Sequence, residues 1–258
     1  MARFITCISG KGGAGKTTCS INLASALNQL GKNVTVIDAN LTTPNVGIYL
    51  GVPVVPKTLH DVLAGKFEIN EATYLHKSGT KIIPGSLSLD ALSNIKPAML
   101  KKKIKDLDKT NDFVIIDAAA GLGREALASI DSSDEVLIIT NDELPAIADA
   151  LKTIRLCEEL KKEVIGVVLN RRKEPGIGLK EIEDMLEKPI ISIIPEDEKI
   201  RESLMQKDVI LHTHPNSKSS KGFRKLANYL VGNPHYEEPL SVDKRTIMQK
   251  LLDALGIT

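Results

Sequence analysis

Residues 9–18 read Ser9-Gly10-Lys11-Gly12-Gly13-Ala14-Gly15-Lys16-Thr17-Thr18, between the apolar run 4–8 and a helical pattern that continues to Leu30. Residues 10–17 match G-x-x-x-x-G-K-[ST] in the strand–loop–helix setting of a phosphate-binding loop. The glycines allow a tight turn in which several backbone N–H groups point at one anion. The helix that begins near Lys16 adds the positive end of its dipole. The stretch therefore predicts a site for a nucleoside triphosphate.

Two side chains at the end of this loop have predicted roles of their own. Lys16 is placed to neutralise the β- and γ-phosphates, and the Thr17 hydroxyl is placed to bind Mg²⁺. Asp117 ends a second apolar strand, and an acidic residue at such a position can hold Mg²⁺ directly or through water. The sequence therefore predicts Thr17 and Asp117 as metal ligands. A polar strand terminus without a metal role is the alternative for Asp117.

The composition limits the fold and disfavours several classes of protein. A chain of 258 residues that is 42% hydrophobic can bury one large core. The net charge of +1, the absence of tryptophan and an aromatic content of 3% disfavour nucleic acid as a partner. Cys7, Cys19 and Cys157 form no C-x-x-C pair, so we expect them to be small core residues in a reducing compartment.

Apolar strands alternate with helical patterns along the chain, and the strands are apolar throughout. Such strands are typical of a parallel sheet that is buried on both faces. Right-handed crossovers then predict a doubly wound α/β domain, with a mainly parallel sheet, helices on both faces, and ligands at the carboxyl ends of the strands. The predicted strands are 4–8, 34–37, 81–84, 112–117, 135–140, 164–169 and 189–194. The predicted helices are 16–30, 43–50, 59–64, 97–107, 144–160, 178–187, 198–207 and 217–230.

The last residues of the chain differ in pattern from the rest. We predict a P-loop domain at 1–232, a polar linker at 233–240 and an amphipathic helix at 241–258. The helix carries one apolar stripe, formed by Ile247, Met248, Leu251, Leu252 and Leu255. It is either docked on a protein surface or lies at a membrane interface. No apolar run of the chain approaches 18 residues, and residues 1–3 do not resemble a signal peptide.

The run K-G-G-x-G-K-T-T from Lys11 resembles the deviant Walker A motif of the MinD/ParA family of P-loop ATPases. This resemblance implies that the nucleotide is ATP or ADP with Mg²⁺. It also implies that Lys11 reaches across an ATP-bound homodimer to the partner's nucleotide. A solvated loop charge is the alternative for Lys11. The turn 117–121 resembles the family's D-A-P-A-G switch, with Ala119 where proline is usual.

The segment Asp38-Ala39-Asn40 resembles the family's D-x-D switch, with Asn40 in place of the aspartate that helps to position or activate water. An amide cannot accept a proton, although it can orient water by hydrogen bonding. The catalytic candidates are therefore Lys11, Lys16, Asp38 and Asn40. Since loss of a general base is worth roughly 10²–10⁴ in rate, we expect normal ATP binding with slow or absent hydrolysis.

Three weaker resemblances add further nucleotide-binding candidates. Residues 167–171 resemble V-x-N-R, which implies that Asn170, followed by Arg171, pairs with the adenine edge. Residues 194–197 resemble the I-P-E-D loop that packs the base, which adds Pro195 and Asp197. Residues 141–143 resemble N-P-E, which adds Glu143 near a dimer interface. Plain strand-to-helix turns are the alternative for the first two segments.

The resemblance to the MinD branch implies an ATP-dependent dimerising switch that positions division or other polar machinery through an unidentified protein partner. We expect a cytoplasmic protein that is peripheral on the inner face of the cell membrane, attached to lipid through residues 241–258. Two alternatives stay open. One is a nearly inactive, ATP-bound scaffold dimer that recruits a partner, and the other is a ParA-like DNA-segregation ATPase.

Overall fold

The computed structural model describes residues 1–93 and 95–233. Within them the chain forms one eight-stranded sheet. Its strands are β1 (Arg3–Ile8), β2 (Val34–Ala39), β3 (Tyr74–Leu75), β4 (Lys81–Ile83), β5 (Phe113–Ala118), β6 (Glu135–Thr140), β7 (Glu163–Arg172) and β8 (Ile190–Pro195). Their order is β3-β4-β2-β5-β1-β6-β7-β8. The edge pair β3–β4 is antiparallel and the other pairs are parallel. The predicted mainly parallel sheet is confirmed.

The α-helices that surround this sheet are α1 (Lys16–Gln29), α2 (Val46–Tyr49), α3 (Leu59–Leu63), α4 (Leu100–Ile104), α5 (Arg124–Asp131), α6 (Leu144–Glu159), α7 (Leu179–Leu186), α8 (Glu198–Met205), α9 (Ile210–Thr213) and α10 (Lys218–Leu230). The predicted helix over 97–107 is helical throughout, but it is α-helical only in its middle. That segment is a 3₁₀ turn at Pro97–Met99, then α4, then a 3₁₀ turn at Lys105–Lys109. Strand β3 and helices α5 and α9 were not predicted.

Both faces of the sheet are buried, as the apolar strands predicted. In β1, Ile5 and Cys7 belong to a core shared with α1 and α10. Phe4 and Ile8 point to the opposite face, where they join two clusters formed with α3 and α4 and with α5, α6 and α7. Successive strand residues point to opposite faces, so this alternation places helices on both sides. The doubly wound architecture is confirmed.

The pairing of the strands brings the predicted acidic residues together. Strand β5 lies between β1 and β2, and in register Asp117 pairs with Cys7 on one side and with Asp38 on the other. The glycine-rich loop leaves the carboxyl end of β1, so it lies beside both carboxylates. This edge is where ligands bind in open parallel sheets.

The predicted linker 233–240, apart from Asn233, and the predicted helix 241–258 lie outside the described residues. Within residues 1–93 and 95–233, the helices are too short or too polar to cross a bilayer. The three cysteines are free and buried, as predicted for core residues.

Candidate nucleotide-binding site

The glycine-rich loop wraps around the first residue of α1. Gly13 and Gly15 have φ values of 81° and 88°, a left-handed conformation that favours glycine. Ser9 Oγ donates to the Lys11 carbonyl at 2.7 Å, and Lys16 Nζ donates to Ser9 Oγ at 3.1 Å. Burial lowers the pKa of Lys16, against the attraction of Asp117. The loop therefore holds a desolvated lysine at the N-terminus of a helix.

Two glycines of the loop lie against other elements of the chain. A Cβ atom at Gly10 would stand 2.4 Å from the Asp149 carbonyl oxygen of α6. A Cβ atom at Gly15 would stand 2.2 Å from Asn170 Nδ2 at the end of β7. At Gly12 a Cβ atom would meet no atom within 4 Å. Close packing therefore requires glycine at positions 10 and 15, in addition to the left-handed turn at Gly15.

Asp117 lies beneath the loop and is held by the first turns of α1. Its Oδ2 accepts from Thr17 Oγ1 at 2.6 Å, and its Oδ1 accepts from Ser20 Oγ at 3.0 Å. Burial raises the pKa of Asp117 to about 6, against the opposing effects of Thr17, Lys16 and Ser20. The Thr17 hydroxyl and the buried carboxylate are hard oxygen donors, which suit Mg²⁺. These residues fit the predicted metal.

Asp38 is fully buried behind this corner of the site. Its Oδ2 accepts from the Val46 N–H at 2.9 Å, and its Oδ1 has no hydrogen-bond partner among the described residues. Burial raises the pKa of Asp38 well above its usual range, and the charge of Asp117 adds to this effect. Asp38 Oδ1 is thus a buried carboxylate oxygen without a hydrogen-bond partner in the described part of the chain, next to a second carboxylate. A cation bound near it would stabilise the charged form of both groups.

A cavity of about 1060 Å³ opens over the loop. Its volume is close to the upper end of common ligand pockets, about 300–1,000 Å³. The predicted residues that line it are Gly12, Gly13, Gly15, Lys16, Thr17, Thr18, Asn40, Asn170, Arg171, Pro195 and Asp197. The other predicted site residues, Gly10, Lys11, Ala14, Asp38, Asp117 and Glu143, do not line it. The structure thus joins the loop and the predicted base pocket into one cavity.

The predicted base pocket begins at the carboxyl end of β7. Asn170 Nδ2 donates to the Ala14 carbonyl at 2.7 Å, while its buried Oδ1 has no partner among the described residues. An exocyclic amino group of a base could donate to that oxygen. Arg171 has a left-handed φ of 55° and pairs with Glu196 at 2.8 Å. Arg171 also donates to the Gly13 carbonyl at 3.5 Å, so it connects the glycine-rich loop with the segment that follows β8.

Asn40 forms its contacts within its own loop. Its Nδ2 donates to the Thr43 carbonyl at 2.6 Å, and its Oδ1 accepts from Thr43 Oγ1 at 3.1 Å. The side chain is half-buried and lines the cavity. An amide in this position can orient a water molecule, and it cannot remove a proton.

Lys11 extends outside the cavity and pairs with Glu143, the residue before α6. The Nζ–Oε2 distance is 2.8 Å, and the Glu143 side chain is 62% exposed. The hydrogen bond and charge of Lys11 lower the pKa of Glu143. Exposed pairs of this kind are weak, because water and salt screen them. The lysine can therefore exchange this partner for a stronger anion.

Thr42 and Glu125 are among the residues that line the cavity and that the sequence did not predict. Thr42 follows β2, and Glu125 stands in the first turn of α5; both line the cavity, and they are hydrogen-bonded to each other. The helical spacing of Ala126 and Ile130 was the available signal for α5. The contact itself joins residues that are 83 positions apart, and the sequence pattern carries no sign of it.

Comparison with known proteins identifies the family. The sequence profile of the CobQ/CobB/MinD/ParA nucleotide-binding domain matches residues 5–210. The chain belongs to this family. An uncharacterised ATP-binding protein of Methanocaldococcus jannaschii is 37% identical to the chain over 257 residues, which cover 99% of the chain and 97% of that protein.

Two solved structures show where the chain lies within the family. The septum site-determining protein MinD of Pyrococcus horikoshii, complexed with Mg-ADP, is 35% identical, with a TM-score of 0.86 over 91% of the chain and 99% of that protein. The MinD chain of the MinC:MinD cell division complex of Aquifex aeolicus is 28% identical, with a TM-score of 0.82 over 93% of the chain and 98% of that protein. The chain is a MinD/ParA-family ATPase, and its ligands are ATP or ADP and Mg²⁺.

The loop glycines offer a matched pair of substitutions. Gly15→Ala should lower the free energy of unfolding by about 1–3 kcal/mol through left-handed strain alone, with the clash against Asn170 adding to it. Gly12→Ala should change it by less than about 0.5 kcal/mol, because the site is open and the backbone is unstrained. Urea denaturation of the nucleotide-free protein measures both. Equal stability of the two variants would contradict this account of the loop.

Proposed function

We propose that this chain is a MinD-like switch, which dimerises when it holds ATP and attaches to the inner face of the cell membrane. There it positions division or other polar machinery. The observation that carries the proposal is the direction of Lys11. This lysine belongs to the phosphate-binding loop, yet it lies outside the cavity that Lys16 lines and pairs with an exposed carboxylate. Such a lysine is placed to meet the nucleotide of a second subunit.

In this proposal the two lysines of the glycine-rich loop have different roles. Lys16 balances the phosphates of its own subunit, and Thr17 and Asp117 hold the Mg²⁺, which neutralises developing negative charge when it is bound. Lys11 leaves Glu143 and contacts the triphosphate of the partner subunit. A triphosphate carries more negative charge than one exposed glutamate, and the closing interface excludes water, so the exchange favours the dimer.

Replacement of Lys11 tests the dimer directly. With a non-hydrolysable ATP analogue and Mg²⁺, the wild-type chain should form a dimer, and Lys11→Ala should stay monomeric while it still binds nucleotide. Light scattering after gel filtration measures the mass. Lys109→Ala is the matched control, because Lys109 is exposed and pairs with Asp106 in its own 3₁₀ turn. If Lys11→Ala dimerises as readily as wild type, the proposal is wrong.

We also propose that hydrolysis is slow in this chain. Asp38, the remaining aspartate of the switch, is buried and does not line the cavity. Asn40 lines it but lacks the basicity to take a proton. Slow hydrolysis lengthens the life of the ATP-bound dimer.

Asn40→Asp restores the carboxylate of the family motif. We expect it to raise the single-turnover rate constant for ATP hydrolysis by about 10²-fold or more, with little change in ATP affinity. Asn70→Asp, the same exchange at an exposed position that does not line the cavity, is the control and should have little effect. Equal turnover in the wild-type and Asn40→Asp proteins contradicts the proposal.

Membrane attachment is assigned to the segment 241–258. Its apolar stripe and its position after a polar linker support an interfacial helix. One such helix binds lipid marginally, whereas two helices held in one dimer gain effective concentration and exceed either alone by about 10²-fold or more. ATP-driven dimerisation therefore drives attachment, and hydrolysis reverses it.

Deletion of residues 240–258 should leave ATP binding intact and abolish ATP-dependent sedimentation with vesicles that contain anionic lipid. Two point variants refine the test in the full chain. Leu252→Glu places a charge in the apolar stripe and should weaken sedimentation, whereas Gln249→Glu places it on the opposite side and should have a much smaller effect. Unchanged sedimentation of the truncated chain refutes membrane attachment through this segment.

A scaffold dimer that holds ATP without useful turnover is the second candidate, and Asn40 is the residue that favours it. In either case the dimer recruits a protein partner. The related MinD of Aquifex aeolicus has been solved in complex with MinC, which supports a partner of this kind. Single-turnover hydrolysis separates the switch from the scaffold.

A further inference from the structure

Glu125 and Thr42 form a two-point contact at the mouth of the cavity. The Thr42 N–H donates to Glu125 Oε2 at 3.2 Å, and the Thr42 hydroxyl donates to Oε1 of the same carboxylate. Hydrogen bonds to a charged acceptor are stronger than neutral ones, and two of them fix an orientation as well as a distance. Glu125 also stands in the first turn of α5, where the helix dipole favours a negative charge.

The contact joins the loop after β2 to the first turn of α5, beside the phosphate site. Thr42 belongs to the loop after β2 that carries Asn40. Glu125 follows the turn 117–121, which begins at Asp117 at the end of β5. One carboxylate therefore links the loop that carries Asn40 to the helix that follows the turn 117–121.

Other residues near the start of the loop after β2 form hydrogen bonds with buried side chains. The buried His60 contacts the Leu41 carbonyl through Nε2 at 2.9 Å. Its Nδ1 accepts from the Ser86 N–H at 3.0 Å, so Nε2 must be the donor in the neutral ring. Asp38 accepts from the Val46 N–H further along. The Glu125 contact completes this support from the cavity side.

From this arrangement we infer that Glu125 is a positioning residue for ATP hydrolysis. It holds Thr42 and thereby fixes the loop in which the Asn40 amide orients the attacking water. The inference rests on the role proposed above for Asn40. Because an amide acts only by orientation, its effect depends on how closely its loop is fixed. The family motif has a carboxylate at position 40 that this chain lacks; in part, a carboxylate that restrains the loop replaces it.

The test uses Glu125→Gln, Thr42→Val, their double variant and Thr42→Ser. Glu125→Gln keeps the shape and loses one acceptor oxygen, and Thr42→Val loses the hydroxyl. Each should lower the single-turnover rate constant by about tenfold while the Kd for ATP stays within about twofold, since a small misplacement of the reacting groups is enough for such a loss.

The double variant should be no slower than the slower single variant, because both changes break the same hydrogen-bonded link between Thr42 and Glu125. Thr42→Ser should restore the rate that is lost in Thr42→Val.

A second measurement requires no turnover. Hydrogen exchange of the peptide 41–46 in the nucleotide-free protein should be faster in Glu125→Gln than in wild type and normal in Thr42→Ser. Failure of dimerisation or of lipid binding would not alter this result, so the two proposals fail separately.

Three outcomes overturn the inference. In the first, Thr42→Val has wild-type turnover and Glu125→Gln has none, which makes Glu125 act on water directly. In the second, the effects of the two single variants multiply in the double variant, which makes the residues independent. In the third, no variant changes turnover, or the wild-type chain has no measurable hydrolysis; the contact between Thr42 and Glu125 is then structural only.

Discussion

The burial of Asp117 is the constraint on which the rest of the site depends. Its two oxygens are satisfied by Thr17 and Ser20, both in the first turns of α1, so one carboxylate ties the central strand to the helix that follows the phosphate loop. A carboxyl group with a pKa raised to about 6 destabilises the fold increasingly as the pH rises from about 4 to above 6. This destabilisation arises at the position where a bound divalent cation and its nucleotide would offset it.

The parallel pairing of β2 with β5 places a second buried carboxylate, that of Asp38, beside Asp117. Because Asp38 and Asp117 share one register position, the loop after β2 and the turn after β5 begin side by side. Asp38 accepts from the Val46 N–H and does not line the cavity, so Asn40 is the residue of the switch 38–40 that does, beside Thr42, Thr43 and Asn45 of the same loop. The departure from the family motif therefore falls on a residue in a position to face the nucleotide.

Most of the fold and the phosphate loop could be predicted because their signals are local. The apolar strands, the glycine pattern and the turn residues each predict the structure of a short segment. The pairing of the strands in the sheet then determines where those segments lie. The segment 97–107 is helical as its apolar spacing predicts, but that spacing does not distinguish the 3₁₀ geometry of its two ends from an α-helix. Contacts between distant segments, such as Thr42 with Glu125 and Lys11 with Glu143, carry no sequence pattern and required the structure.

The thiols beneath the loop have a consequence for the chemistry of the folded chain. Cys7, at the register position of Asp117, is fully buried, and burial raises its pKa to about 12. Burial likewise raises the pKa of Cys19, in the first turn of α1, well above its usual range. Since the thiolate is the reactive form, peroxide and alkylating reagents should spare both sulfurs while the strand and helix stay packed. Their modification would therefore report the opening of this part of the core.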